Sequence, residues 1–167
     1  VTDLIENDSL KKFIGRHLFR RRLTEDIARW NPHTLLMDQS RMTENRFTKI
    51  INDLDIEVGA VATFGKIIPL NVIESVPRGI INVHPSMLPK YRGSSPIFWA
   101  IRNGEPSFGI TVHFINENID EGSIILQKEI PIEERHTVID CKRIFFKEGV
   151  NMLNTVLKMI GSGTVTS

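Results

Sequence analysis

Apolar residues recur at intervals of three and four in four segments of the chain, which is the spacing of helices that bury one face. The last segment opens with Thr137 and Asp140 in the register of a capping box and is predicted to end at Gly161. The small and polar residues 161–167 that follow are expected to fray. The segments with helical spacing are residues 9–30, Glu44–Leu54, Pro96–Asn103 and Thr137–Ile160.

Short apolar runs of strand length separate these segments and predict buried strands. Because strands and helices alternate along the chain, the pattern favours an α/β fold in which helices cover a largely parallel sheet. The predicted strands are Thr34–Met37, Ile56–Thr63, Gly79–Val83, Gly109–Ile115 and Ser123–Ile130.

Length and composition indicate a single domain over residues 1–167. A chain of 167 residues is close to the roughly 150 residues of one typical domain, and a hydrophobic fraction of 41% excludes disordered and collagen-like chains. The 21 Lys and Arg residues nearly balance the 20 Asp and Glu residues, so the net charge neither requires nor excludes a polyanionic partner. A basic group between Lys11 and Arg22 is compatible with phosphate contacts, although a solvated helix face is the commoner cause of such a run.

Cysteine content and the lengths of the apolar runs indicate the compartment. The single cysteine, Cys141, cannot form an intramolecular disulfide, and the sequence has neither a CxxC motif nor a Cys/His cluster with zinc spacing. The apolar runs are far shorter than the roughly 18 residues of a membrane span, and no signal peptide opens the chain. We therefore expect a soluble cytoplasmic protein with no metal site and no membrane partner.

The stretch from Asn82 to Gly93 carries the candidate chemistry. Asn82 and His84 lie two residues apart near the end of a predicted strand, on one side of its pleat, where open α/β sheets place their ligands. Two prolines then predict an irregular loop of the kind that shapes a site. Asp120 follows the next core strand, and a parallel neighbouring strand would bring it back to the imidazole of His84.

An amide, an imidazole and a carboxylate suit acyl transfer to an amine. The Asn82 amide and a protonated His84 can donate to the negative charge that develops on the carbonyl oxygen, while Asp120 raises the pKa of the imidazole and accepts the amine proton. Taken alone, the residues leave a second interpretation open, in which His84 is a core histidine bonded to the backbone. The histidines assigned structural or solvent-facing roles are His17, His33, His113 and His136.

The same stretch, continued through Ser94–Ile97, resembles the signature loop of the formyltransferase family that uses 10-formyltetrahydrofolate. The resemblance extends from Ile56 to the region of Pro131. It implies a Rossmann-like formyltransferase fold and 10-formyltetrahydrofolate as a co-substrate, with no metal. The catalytic residues that it implies are Asn82, His84 and Asp120.

The resemblance also implies where the folate binds. One segment borders the pterin pocket of the family, and a second supplies a loop whose backbone binds the pterin ring. Apolar walls and exposed main-chain groups suit a flat heteroaromatic ligand. The residues are Phe64, Gly65, Lys66, Ile67 and Ile68 in the first segment and Ile115, Asn116, Glu117, Asn118 and Ile119 in the second.

The signals for the acceptor amine are mixed. Tyr91–Pro96 resembles the methionyl-tRNA and sugar-nucleotide branches of the family, whereas Thr111–Phe114 resembles the purine branch. Methionyl-tRNA or an amino sugar nucleotide is therefore the expected acceptor. Glu121 departs from the small or hydroxylated residue that commonly follows the aspartate, and a second carboxylate buried beside Asp120 would raise the pKa of both.

Compared with the family, the first βα unit is expected to be incomplete in this sequence. Only Gly15 precedes Gly59, and no apolar strand precedes Thr34. A missing strand would leave a sheet edge that can pair with a second copy, so a homodimer is also expected. Two alternatives to formyl transfer stay open: hydrolysis of 10-formyltetrahydrofolate, and a truncated non-catalytic protein that keeps a folate or nucleotide pocket.

Overall fold

The computed structural model of the chain describes residues 43–62 and 64–165. The helices, strands and site residues all belong to the compact unit Glu44–Ser167. The helices predicted within residues 9–30, the strand Thr34–Met37 and the basic group near Lys11 lie outside the described residues.

The described part of the chain contains four helices and four strands, and most of them lie within three residues of their predicted bounds. One short helix was not predicted, because five residues are too few to reveal a period. In chain order the elements are α1 Glu44–Asp53, β1 Gly59–Ala62, α2 Leu70–Glu74, β2 Ile80–His84, α3 Pro96–Arg102, β3 Ser107–Phe114, β4 Ile124–Pro131 and α4 Val138–Gly161.

The four described strands form one mixed sheet in the order β1-β2-β3-β4. β1 pairs with β2 in parallel, with Gly59 opposite Ile80. β3 runs antiparallel to both β2 and β4. The expectation of a largely parallel sheet is therefore wrong for this part of the chain. Periodicity reports which side chains are buried but carries no information about strand direction, and β3 and β4 are joined by a loop without a helix, which allows an antiparallel pair.

β2 lies between two hydrophobic clusters, one on each face of the sheet. Ile81 and Val83 pack with residues of α3 and α4, whereas Ile80 packs with residues of α1 and α2. Because side chains alternate along a strand, Asn82 and His84 face the side of Ile80. The strand therefore presents an amide and an imidazole on one face while its other face stays apolar.

α4 has a defined cap at each end. At its start the Thr137 hydroxyl accepts from the Asp140 N–H and the Asp140 carboxylate accepts from the Thr137 N–H, as the sequence predicts. At its end the Gly163 N–H donates to Ile160 and the Thr164 N–H donates to Met159, in the Schellman pattern. Gly163, with φ of 72°, supplies the left-handed residue that closes the helix. Fraying of residues 161–167 stays a prediction.

None of the helices in residues 43–62 and 64–165 combines the length and the apolar character that a bilayer-crossing helix requires. β1 and β4 are the outer strands of the described sheet. Pairing of the β1 edge with a second copy stays a prediction.

Candidate functional site

The loop that follows β2 is held by side chains of the strands beneath it. The Thr111 hydroxyl donates to the Ser86 carbonyl at 2.7 Å and accepts from the Leu88 N–H at 3.2 Å. The Gln127 amide donates to the Leu88 carbonyl and to the Thr111 hydroxyl, both at 2.9 Å. A loop that contains prolines cannot form a regular series of backbone hydrogen bonds, and these side-chain bonds take their place. They fix the loop next to the end of β2.

Substituting Thr111 with valine is expected to lower the free energy of unfolding by about 1–3 kcal/mol, because the buried Leu88 N–H and Ser86 carbonyl lose a partner. Urea unfolding measures the change. The matched control is Thr48→Val, since the Thr48 hydroxyl bonds to carbonyls of its own helix, and it is expected to change stability by less than about 0.5 kcal/mol. Equal losses in the two variants would contradict a role for Thr111 in holding the loop.

The structure brings the three predicted catalytic residues together. The Nδ1 atom of His84 lies 3.3 Å from Oδ2 of Asp120, and the Asn82 amide nitrogen donates to Oδ1 of the same carboxylate at 3.2 Å. The Nε2 atom of His84 lies 2.9 Å from the carbonyl oxygen of Tyr91. A carbonyl oxygen only accepts, so Nε2 carries a proton and Nδ1 is the atom that faces the carboxylate.

Asp120 reaches this cluster by a different path from the expected one. β3 runs antiparallel to β2, so the loop at residues 115–123 begins near the start of β2 and must double back to its end. Gly122 makes the return possible, because a Cβ there would overlap the carbonyl oxygen of Phe114. Asp120 adopts a left-handed backbone with φ of 50°, and its Oδ2 atom accepts from the Gly93 N–H at 2.8 Å.

His113 is a fourth member of the cluster that the sequence interpretation assigned to a structural role. It is fully buried opposite Asn82 in the β2–β3 register. Its Nδ1 atom lies 2.7 Å from the Phe114 carbonyl, which requires a proton there. Its Nε2 atom lies 3.2 Å from the Asn82 amide nitrogen and 3.6 Å from Oδ1 of Asp120. The signal that could have found it is a histidine within an otherwise apolar strand that neighbours the strand of Asn82.

Burial and the neighbouring charges set the protonation of the pair. Burial lowers the pKa of His84; the Tyr91 carbonyl and the charge of Asp120 oppose this effect, and His113 adds to it. Burial acts to raise the pKa of Asp120, but His113, the Gly93 N–H and the charge of His84 outweigh it and hold that pKa below its ordinary value. The free site therefore favours an ionised carboxylate beside a neutral imidazole, rather than the protonated His84 that the sequence suggested.

Glu121 does not act on Asp120 as expected. Its carboxylate turns outward and lies 2.9 Å from the Arg92 guanidinium, with both side chains 42% exposed. Because the two carboxylates are not buried together, the condition for a raised pKa is not met, and the pKa of Asp120 is lowered instead.

Tyr91, whose carbonyl faces His84, is fixed at its other end. Its hydroxyl donates to Glu105 at 2.8 Å and accepts from the Asn103 amide at 3.0 Å. Its backbone φ of 57° is left-handed, which costs a residue with a side chain about 1–2 kcal/mol. The anchored ring holds the carbonyl in a position that the backbone alone would not favour.

A cavity of about 710 Å³ opens beside the cluster. All ten residues that the resemblance assigns to folate binding line it, together with Asn82, His84 and Asp120. Sequence reasoning missed a further wall from α4, formed by Lys142, Phe145 and Phe146, because these residues fit the ordinary apolar and polar faces of a helix. The described residues contain no group of three or more His, Cys, Asp or Glu side chains that could hold a metal ion.

Comparison with known proteins identifies similar chains. The family model described as formyl transferase matches residues 9–157. Methionyl-tRNA formyltransferase of Pelotomaculum thermopropionicum is 40% identical over 117 residues, which are 70% of this chain and 37% of that protein. Methionyl-tRNA formyltransferase of Thermodesulfovibrio yellowstonii is 35% identical over 131 residues, 78% of this chain and 42% of that protein. The chain thus spans about two fifths of the length of these relatives.

Solved structures share the fold. Glycinamide ribonucleotide transformylase 1 from Symbiobacterium toebii superposes with a TM-score of 0.70 at 26% identity, covering 76% of this chain and 62% of that one. A sugar N-formyltransferase from Shewanella sp FDAARGOS_354 superposes with a TM-score of 0.63 at 29% identity, covering 73% and 48%. The expected Rossmann-like formyltransferase fold is confirmed. Since the family model also spans most of the chain, this protein belongs to the formyl transferase family.

Proposed function

We propose that the protein transfers the formyl group of 10-formyltetrahydrofolate to an amine acceptor. The observation that carries the proposal is the convergence of the Asn82 amide, the His84 imidazole and the Asp120 carboxylate beside one cavity of about 710 Å³. That volume lies within the range of roughly 300–1,000 Å³ for pockets that bind small molecules and cofactors.

The residues around the cavity fit a folate. Phe64, Ile67 and Ile115 are among the apolar residues that line it, and so is the irregular segment 115–119, whose backbone polar groups lie outside any strand. A flat ring with several donors and acceptors needs both kinds of group. When bound, 10-formyltetrahydrofolate supplies an activated formyl carbon that an amine can attack.

In this proposal the Asn82 amide donates to the formyl oxygen, and His84 does so only as the imidazolium, through Nδ1–H, because Nε2–H is held by the Tyr91 carbonyl. Negative charge develops on that oxygen as the amine attacks, and N–H groups that are already oriented stabilise it at little reorganisation cost. In the free site both Asn82 amide hydrogens are directed to protein acceptors, Asp120 and His113. The formyl oxygen must therefore share or displace one of these contacts, which is consistent with catalytic hydrogen bonds that tighten only when substrate is bound.

Asp120 and His84 accept and transfer the proton that the amine loses. The lowered pKa of Asp120 keeps its carboxylate ionised and able to accept a proton. The Nδ1 atom of His84, 3.3 Å away, can hold that proton next, because the imidazolium then has an acceptor for each of its N–H groups. The C–N bond to the acceptor forms, the C–N bond to the folate breaks, and the pair returns the proton to the leaving nitrogen.

The acceptor that we propose is methionyl-tRNA or, as a second choice, an amino sugar nucleotide. The relatives at 40% and 35% identity named methionyl-tRNA formyltransferase support the first, and the structure of a sugar N-formyltransferase supports the second.

The test is calorimetry with a non-reactive folate analogue, followed by turnover of 10-formyltetrahydrofolate with each acceptor. We expect analogue binding and release of tetrahydrofolate that depends on one of the two amines. Turnover without any amine would identify a hydrolase instead. Tight binding without turnover would identify a non-catalytic folate protein, and no binding would remove every folate-based function.

A further inference from the structure

Two adjacent contacts join the loop after β2 to the loop after β3, just beside the catalytic cluster. The Gly93 N–H donates to Oδ2 of Asp120 at 2.8 Å. The second contact joins Arg92, which precedes Gly93, to Glu121, which follows Asp120. Nη1 of Arg92 lies 2.9 Å from Oε1 of Glu121. The first contact lies at the cavity wall, whereas Arg92 and Glu121 stand outside the cavity lining.

The backbone at the Gly93–Asp120 contact adopts a conformation that is unfavourable without supporting contacts. Asp120 and Gly93 both have left-handed φ angles, 50° and 84°. A non-glycine residue keeps such a conformation only where surrounding contacts determine it. Gly122 pins the following part of the loop against the end of β3. The Asp120 carboxylate is held by the Asn82 amide from β2 and by the Gly93 N–H from the facing loop. The contact between Arg92 and Glu121 lies directly beside the second of these bonds.

We propose that the Arg92–Glu121 ion pair is a positioning pair, which holds the Asp120 carboxylate against His84 by clamping the two loops on the outer side of the Gly93–Asp120 bond. Neither residue touches the cluster itself. Exposed ion pairs contribute little to global stability, so the effect of this one falls on the geometry of the carboxylate. The kinetic part of the proposal rests on the proposed formyl transfer, whereas its titration part does not.

The distance between Asp120 and the His84 ring can be followed through the pKa of His84, because that pKa depends on the groups that face the ring. Asp120 from the loop after β3, His113 from β3 and the Tyr91 carbonyl from the loop after β2 are its polar neighbours. Of the two charges that act on it, Asp120 raises the pKa of His84 and His113 lowers it. If Asp120 drifts away from the ring, the pKa of His84 must fall.

The experiment compares Glu121→Gln, Arg92→Gln and the charge-reversed double variant Arg92→Glu/Glu121→Arg with the parent, using NMR titration of the His84 ring. Both single variants are expected to lower the pKa of His84, and the double variant is expected to restore it. A simple field effect predicts opposite signs, because one variant removes a negative charge and the other a positive one. Opposite shifts, or no shift in either variant, would overturn the proposal.

The kinetic readout adds a second criterion. Each single variant is expected to lower kcat about tenfold with little change in the KM for folate, less than the roughly 100-fold that a 1 Å misplacement can cost, and the double variant is expected to recover most of it. Arg135→Gln is the matched control, because it breaks an exposed pair with the same 2.9 Å distance in a loop outside the cavity lining. An equal loss of kcat in that control would overturn the proposal. Should the parent show no turnover, the titration alone decides the role of the pair.

Discussion

His84→Ala is expected to lower kcat for formyl transfer by about 10²- to 10⁴-fold. Removal of the ring takes away the Nδ1–H that the imidazolium offers to the developing charge, and the loss of one such donor is worth about 10²- to 10³-fold. It also takes away Nδ1, the atom placed 3.3 Å from Asp120 to hold the amine proton, and general acid–base help of this kind contributes about 10²- to 10⁴-fold. The two effects act through one ring, so they are not expected to multiply in full.

Single-turnover release of tetrahydrofolate measures this loss, and binding of a folate analogue shows that the cavity is intact. The matched control is His136→Ala in the loop before α4, which lies outside the cavity lining and is expected to keep the parental kcat. If His84→Ala kept the parental rate while binding the analogue normally, the ring would have no part in the reaction.

Asp120→Asn is expected to lower kcat by about 10²- to 10⁴-fold, because an amide of nearly the same shape cannot accept the amine proton. The substitution also makes the two hydrogen bonds to the Asp120 side chain incompatible with each other. If the new amide oxygen accepts from the Gly93 N–H as the carboxylate does, the new NH₂ group faces the amide nitrogen of Asn82, and two donors meet. The kcat at saturating folate measures the loss, and Asp53→Asn on exposed α1 is the control.

The same variant is expected to change two pH dependences in known directions. Asp120 raises the pKa of His84, so the pKa of the ring in the variant is expected to fall, as NMR titration would show. The pKa of Asp120 is lower in the folded protein than its ordinary value of 3.8. Its charge therefore stabilises the fold above about pH 3.8, and this contribution is lost as the pH falls through the folded pKa. Urea unfolding of the parent should thus lose stability below pH 4 more steeply than that of the variant.

Part of the site could be predicted from local sequence because Asn82, His84 and the loop that follows them stand in one continuous stretch. Asn82 and His84 share a face of β2 by simple alternation, and the two prolines that follow mark the loop. The capping box at Thr137 is equally local, since it depends on two residues three apart. Each of these features requires only neighbours along the chain, and each was found.

The features that were missed depend on partners far apart in sequence. The direction of β3 reverses the path of the loop that carries Asp120, and no periodicity reports it. His113 joins the cluster only because β3 pairs beside β2 in a register that sets it opposite Asn82. The outward turn of Glu121 depends on Arg92, a residue 29 positions earlier. Such contacts follow from tertiary pairing, which a single sequence does not encode locally.

Asn82 and His84 lie on a buried strand whereas Asp120 lies on a loop, and this difference has an evolutionary consequence. β2 is enclosed by hydrophobic clusters on both faces, so the amide and the ring keep a constant spacing, and substitutions beneath them are heavily penalised. The Asp120 carboxylate lies instead on a loop, and insertions or substitutions in loops usually change the free energy of unfolding little. The position of the carboxylate can therefore change through alterations in one loop, while the spacing of the amide and the ring is retained.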